Sequence, residues 1–257
     1  MNQLNVNLPE LPYAVSEAMN RLRINIKFCG KNTRKILLTS CQPNEGKSSI
    51  SSYLWKMLAE AGFPTVLVDV DLRKSVMKTR FQMDYDDDTT MGLNHYLSGM
   101  AEYEDVIYST NIPNGYMVPC TQLLENPSAL LEDVRFKELL NTLSENYRFV
   151  IIDSPPLGSV ADGALIASLC DGAVLVVRAG TTPRTLIKQS LYEIQQSGCK
   201  LLGTVLNRAD VKGRAYGKYG YGKYGYGYGY GYGYGYEPKD KKNSSDSAAT
   251  DKNSTGN

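Results

Sequence analysis

Five short apolar runs set the strongest limit on how this chain folds: Ile36-Leu37-Leu38, Val66-Leu67-Val68, Phe149-Val150-Ile151-Ile152, Val174-Leu175-Val176-Val177 and Leu201-Leu202-Gly203-Thr204-Val205. Each is too short for a buried helix, so each is predicted to be a strand covered on both faces, as in a parallel sheet. Longer amphipathic stretches lie between them, roughly Lys47 to Ala61, Ser128 to Asn146, Ala161 to Leu169 and Pro183 to Ser197. These have the spacing of helices that cover a sheet. A further segment, about Tyr13 to Phe28, carries Ala14, Met19, Leu22 and Ile26 at near-helical spacing and predicts an extra helix ahead of the first strand. The alternation implies an α/β fold, a doubly wound and mostly parallel sheet flanked by helices, with ligands at the carboxyl ends of its strands.

Apolar periodicity stops after Arg208, and Tyr216 to Tyr236 is almost pure Gly-Tyr before a Lys/Ser/Asp/Asn-rich end. Such composition buries no core. The expectation is a domain at 1–210, N-terminal helix included, and a disordered Gly/Tyr-rich tail at 211–257. The 257 residues carry a formal net charge of +1, which gives no reason to expect nucleic acid or an anionic membrane as a partner. Five cysteines without a CxxC pair and a single histidine, His95, offer no zinc cluster and fit reduced thiols in the cytoplasm. No basic stretch followed by an apolar core opens the chain, and no run of about 18 apolar residues occurs, so neither a signal peptide nor an anchoring helix is expected.

The first apolar run leads into Ser40-Cys41-Gln42-Pro43-Asn44-Glu45-Gly46-Lys47-Ser48-Ser49 and then a helical pattern. This strand–loop–helix order is what a phosphate cradle requires. Backbone N–H groups from Asn44, Glu45, Gly46, Lys47, Ser48 and Ser49 would hold phosphate oxygens, Lys47 would reach the β and γ phosphates, and Ser48 would bind Mg²⁺. Cys41 stands where the first glycine of GxxxxGK[ST] belongs. The second run ends in Asp69-Val70-Asp71, two carboxylates expected on one strand face, and the third run, Phe149 to Ile152, ends in Asp153-Ser154-Pro155-Pro156. Like charges closing buried strands imply a cation among them. The competing reading is that each aspartate caps a turn.

Gly46-Lys47-Ser48, Asp69-x-Asp71-Leu72-Arg73, Asp153-Ser154-Pro155-Pro156, Asn126-Pro127 before Leu130-Leu131, and the C-terminal tyrosine cluster together resemble the bacterial tyrosine kinases. The similarity is to their Gram-positive form, which is separate from its membrane activator and controls capsular or extracellular polysaccharide synthesis. It covers about Pro12 to Tyr236. The resemblance implies a P-loop NTPase fold of the deviant Walker type that uses ATP and Mg²⁺. It further implies that Lys47 and Ser48 belong to Walker A, Asp69 and Asp71 to Walker A′, and Asp153 to Walker B. Asp71 would accept the tyrosine proton, while Asp69 and Asp153, with Ser48, organise Mg²⁺. The choice of Asp71 as base comes from the family, since spacing does not distinguish the aspartates. Asn207 would meet the adenine as its equivalent does in related ATPases, the other reading being a turn residue. The family's E-x-x-R-x-x-R assembly motif reads here as Glu17, Asn20, Arg23, with Asn20 in place of the first arginine. Arg21 beside it points about 100° away on a helix. Glu17 and Arg23 are therefore the expected contacts of a reversible, ring-like homo-oligomer, against the reading of a solvated helix face.

The tail offers Tyr216, Tyr219, Tyr221, Tyr224, Tyr226, Tyr228, Tyr230, Tyr232, Tyr234 and Tyr236 as sites of autophosphorylation. Glycine leaves each phenol unobstructed, and a flexible segment of this length spans roughly 25–30 Å and extends to about 90 Å, far enough to reach a neighbouring subunit. The alternative is an adhesive segment whose tyrosines only stack. The resemblance also implies a membrane adaptor of the polysaccharide co-polymerase type, recruitment to the inner face of the plasma membrane, and a protein-tyrosine phosphatase. Two rival functions remain: a partition or cell-division ATPase, whose signature lysine is replaced here by Gln42, and a nucleotide-binding scaffold without catalysis.

Overall fold

The computed structural model describes residues 3–85, 89–158 and 162–209. The expected tail and its tyrosines lie outside them. A compact unit spans Met1–Val211. In chain order its elements are β1 (Gln3–Leu4), α1 (Tyr13–Phe28), β2 (Lys35–Ser40), α2 (Lys47–Glu60), β3 (Thr65–Asp69), α3 (Met77–Arg80), α4 (Leu93–Leu97), α5 (Tyr103–Val106), β4 (Tyr108–Thr110), β5 (Gly115–Val118), α6 (Ser128–Glu132), α7 (Val134–Asn146), β6 (Phe149–Asp153), α8 (Asp162–Ser168), β7 (Gly172–Arg178), α9 (Arg184–Gln196) and β8 (Leu201–Asn207). The strands form one sheet in the order β1-β4-β5-β3-β6-β2-β7-β8. Every neighbouring pair is parallel except β4 with β5. The fold is the α/β, doubly wound, mostly parallel sheet that the alternating pattern predicts.

All five apolar runs form strands (β2, β3, β6, β7 and β8), and the extra N-terminal helix is α1. Two departures have local causes. The helix expected from Ser128 to Asn146 is two helices, because Asp133 adopts φ −65° and ψ 149° and its carboxylate accepts the Arg135 N–H, capping α7. The strands β1, β4 and β5 lie in segments without a run long enough to announce them. They are defined by their partners, β5 beside β3 and β4 antiparallel to β5.

Successive strand residues face opposite sides, so the sheet divides the core in two. Leu37, Val66, Val68, Val150, Ile152 and Leu175 pack with Phe136, Leu140, Ile166 and Ile194 from α7, α8 and α9. Ile36, Leu38, Leu67, Ile151 and Val174 pack on the other side with Met19 and Ile26 of α1 and with Leu54, Trp55 and Leu58 of α2. Full burial of one such aliphatic chain contributes about 1.5–3 kcal/mol, so the central strands are fixed in place. Register then aligns the strand ends. Asp69 is the partner of Asp153 across β3 and β6, and Leu38 is the partner of Asp153 across β2 and β6. Parallel neighbours lie about 4.8 Å apart, which sets two carboxylates side by side next to the loop leaving β2.

Trp55, the chain's only tryptophan, is fully buried, and its Nε1 donates to the Thr65 carbonyl at 3.1 Å. Trp55→Ala is expected to cost about 3–5 kcal/mol through the cavity it leaves. Urea denaturation followed by far-ultraviolet circular dichroism measures this. A cost below about 1 kcal/mol would contradict the packing of α2 on the sheet.

Candidate active site

The loop from Cys41 to Gly46 connects β2 to α2, and its shape follows from three residues. Asn44 has φ 65° and Gly46 φ 96°, both in the left-handed region. A Cβ on Gly46 would lie 2.2 Å from Asn207 Nδ2, so glycine is required there by space as well as by backbone angle. Glu45 turns inward. One carboxylate oxygen accepts the Cys41 and Gln42 N–H groups at 2.8 and 3.0 Å, and the other accepts the Thr182 hydroxyl. The Glu45 carbonyl accepts Asn207 Nδ2 at 2.8 Å. Cys41 therefore occupies the first-glycine position with its side chain buried and its amide held by Glu45. Gly46 provides no side-chain cap to α2. The first N–H groups of that helix point to where an anion is stabilised.

Lys47, the first residue of α2, reaches across to the strand ends. Its Nζ lies 2.9 Å from Asp71 Oδ2, 3.3 Å from Asp153 Oδ2 and 3.3 Å from Ser48 Oγ. Lys47, Ser48, Asp69, Asp71 and Asp153 are all buried. Asp153 accepts a second bond, from Ser51 Oγ at 2.9 Å. The strand β3 stops at Asp69, and Asp71 lies in the turn just beyond it instead of on the strand. Its Oδ1 accepts the Lys74 N–H at 3.1 Å, while its own N–H donates to Asp69 Oδ1 at 3.3 Å. Ser75 donates to the other oxygen of Asp69. The side chains of Ser51, Ser75 and Thr182 thus belong to the site, although no motif in the chain marks them. Serine and threonine occur everywhere, and only the fold shows which of them face a carboxylate.

One ammonium cannot neutralise three buried carboxylates. Burial is the largest influence on Lys47 and disfavours its charge, but Asp153 and Asp71 together outweigh it and hold the lysine above its ordinary value. Asp69 is pushed up to about 8, first by burial and next by the Asp153 carboxylate, against the Ser75 hydroxyl and Lys47. Burial also raises Asp153, despite Lys47 and the hydroxyls of Ser48 and Ser51. The arrangement is one that a cation or a tightly held proton stabilises.

The remaining candidates are more scattered. Ser49 accepts a bond from Arg80 at 3.3 Å on the outer side of α2. Asn207 ends β8 with its amide on the Glu45 carbonyl and its Oδ1 accepting the Arg208 N–H. On α1, Glu17 is exposed and Arg23 is half-buried. Asn20 Oδ1 accepts both Nε and Nη2 of Arg23, at 3.1 and 2.7 Å, so the asparagine in the first arginine's place grips the second.

A family profile described as an AAA domain matches residues 33–195. The tyrosine-protein kinase CpsD of Streptococcus agalactiae is 42% identical over 208 residues, which cover 80% of this chain and 90% of that protein. The tyrosine-protein kinase YwqD of Bacillus subtilis (strain 168) is 30% identical over 208 residues, covering 80% and 86%. Among solved structures, the chimerical protein CapA2B2 superposes with a TM-score of 0.71 at 33% identity, covering 80% of this chain and 92% of that one. The septum site-determining protein MinD of Pyrococcus horikoshii OT3, complexed with Mg-ADP, gives a TM-score of 0.57 at 25% identity and covers 67% and 69%. The phosphate loop and the aspartates at the ends of β3 and β6 lie within the matched span, and with these likenesses they place the chain in the bacterial tyrosine-kinase family, in its Gram-positive form.

Proposed function

We propose that this chain is a protein-tyrosine kinase that transfers the γ-phosphate of ATP, with Mg²⁺, to tyrosines of its own C-terminal segment in a neighbouring copy, and that this regulates capsular or extracellular polysaccharide synthesis and export. The observation that carries the reading is Lys47 of the phosphate loop bridging Asp71 and Asp153. The loop receives the triphosphate, and the aspartates flank the place where its terminal phosphate would end.

The donor set fits Mg²⁺. Ser48, Asp69 and Asp153 supply hard oxygens, and burial with mutual repulsion leaves their charge unbalanced. Among the described residues, no group of three or more His, Cys, Asp or Glu side chains is arranged to hold a metal by itself. Mg²⁺ takes one or two carboxylates and draws its other ligands from phosphate and water. When bound, Mg²⁺ neutralises charge on the β and γ phosphates.

The chain's own groups supply the rest. Lys47 places a positive charge on the phosphate oxygens, and the N–H groups from Asn44 to Ser49 hold them. Asp71 takes the phenolic proton as the tyrosine oxygen forms its bond to the γ phosphorus, while the bond from that phosphorus to the β–γ bridging oxygen breaks and ADP leaves. The proton ends on Asp71. Little covalent chemistry is asked of the protein beyond positioning and charge. The acceptors are Tyr216, Tyr219, Tyr221, Tyr224, Tyr226, Tyr228, Tyr230, Tyr232, Tyr234 and Tyr236. The neighbouring copy is brought by a reversible, ring-like association through Glu17 and Arg23.

Among the described residues, no helix is long and apolar enough to cross a membrane. The proposed location is the cytoplasm, with recruitment to the plasma membrane by an adaptor of the co-polymerase type and reversal by a tyrosine phosphatase. These partners follow from the family resemblance.

Lys47→Met, Asp71→Asn and Asp153→Asn are each expected to lower tail phosphorylation by at least about 100-fold while circular dichroism stays unchanged. Phosphotyrosine measured on purified protein with Mg·ATP decides this. Near-normal labelling in Asp71→Asn would mean that another group is the base, and in Lys47→Met that the phosphate loop is misread.

A second test concerns stability without metal. The unfolded chain releases the Asp69 proton near pH 4, whereas the folded protein keeps it to about 8. Unfolding therefore releases a proton across that window, and this group's contribution to stability falls as pH rises from about 4 to 8 and levels off above. Asp69→Asn removes that loss. In EDTA the variant should melt above wild type at pH 8, with the gap closing toward pH 5. Equal melting temperatures at both pH values would show that Asp69 ionises normally.

A further inference from the structure

Outside the charges around Lys47, a second ionic cluster joins three separate segments. Arg73 Nε donates to Asp162 Oδ2 at 2.8 Å, Nη1 to the Glu125 carbonyl at 2.8 Å and Nη2 to Ser128 Oγ at 3.1 Å. Ser128 Oγ in turn donates to Asp162 Oδ1 at 2.6 Å. Asp162, the first residue of α8, is 2% exposed and among the described residues is held by these two partners. One guanidinium thus ties the turn after β3 to the segment before α6 and to α8. A lysine could meet Asp162 but not all three acceptors, which call for a planar fork.

Arg73 lies two residues after Asp71. Between them, Leu72 N–H donates to the Val70 carbonyl and the Leu72 carbonyl accepts the Leu124 N–H at 2.7 Å. The turn is therefore attached at two points to the residues from Leu124 to Ser128, by Leu72 through the backbone and by Arg73 through its side chain. Lys47 fixes Asp71 from the phosphate side, and these contacts fix the turn from the opposite side.

We propose that Arg73, acting through Asp162 and Ser128, is a positioning residue for the acceptor half of the site: it holds the turn bearing Asp71 so that the carboxylate meets an incoming tyrosine, without taking part in nucleotide binding. This rests on Asp71 being the base. The phosphate loop reaches its shape through Glu45, Thr182 and Asn207, none of which touches the Arg73 cluster. The two halves of the site are held by separate networks. Misplacing a reacting group by about 1 Å costs on the order of 100-fold in rate, and that loss falls on transfer to tyrosine.

The test uses the full-length chain with Mg·ATP and a synthetic peptide of residues 224–236 as acceptor. Arg73→Lys keeps a cation beside Asp162, which protects folding, and Ser128→Ala removes a single neutral partner. Arg73→Lys is expected to lower kcat for the peptide about 10-fold or more, and Ser128→Ala by a smaller factor, while KM for ATP and ADP affinity stay within about twofold. Arg73→Ala, if circular dichroism shows it folded, should fall further and recover part of its rate in millimolar guanidinium. An Arg73→Lys protein with unchanged kcat, or with ATP KM raised as much as kcat is lowered, overturns the inference. Asp71→Asn is run beside it. If that variant keeps its rate, the base assignment falls and this proposal with it; if it is inactive while Arg73→Lys equals wild type, only the positioning role is refuted.

Discussion

One lysine among three buried carboxylates is the constraint on which the rest of this site depends. Lys47 can contact Asp71 and Asp153 only because the first turn of α2 is set directly against the ends of β3 and β6. Those strands are in register so that Asp69 and Asp153 are partners. Removing such charges from water is costly, and their mutual attraction does not fully repay it. The raised values of Asp69 and Asp153 express that shortfall. A site of this kind is not optimised for stability. It keeps carboxylates short of positive charge at the strand ends, an arrangement that a bound cation would stabilise.

The phosphate loop shows how a departure from a motif is accommodated. A glycine at the start of GxxxxGK[ST] is replaced by Cys41, yet the loop closes because Glu45 takes the Cys41 and Gln42 N–H groups and is itself held by Thr182. Gly46 cannot be replaced in the same way. Its backbone angle and the approach of Asn207 both exclude a side chain. Loop, β8 and the turn after β7 are therefore one unit, joined at Glu45.

The aspartate turn is a different unit. Asp71 lies beyond the strand, in a segment where backbone bonds to Val70, Lys74 and Leu124 replace sheet pairing. A turn held by so few bonds needs side-chain support, and Arg73 gives it by reaching Asp162, a residue far along the chain. The two networks approach each other at the Lys47–Asp71 contact.

The sequence alone determined the sheet's five main strands, the helix α1, and the site's charged members Lys47, Asp69, Asp71 and Asp153. Buried strands must be apolar along their whole length, and their carboxyl ends are where polar residues first become possible, so both leave a mark in a linear pattern. The short strands β4 and β5 left no such mark, because their pairing comes from β3 and from each other. The break at Asp133 was hidden within a continuous helical pattern and appears only as a cap. Tertiary structure alone decided that Glu45 turns inward, that Ser51 and Ser75 serve the aspartates, and that Asn20 grips Arg23. It alone joined Arg73 to Asp162. A hydrogen bond depends on direction and on distances within a few tenths of an ångström, and for residues far apart in the chain those are set by how the strands and helices pack.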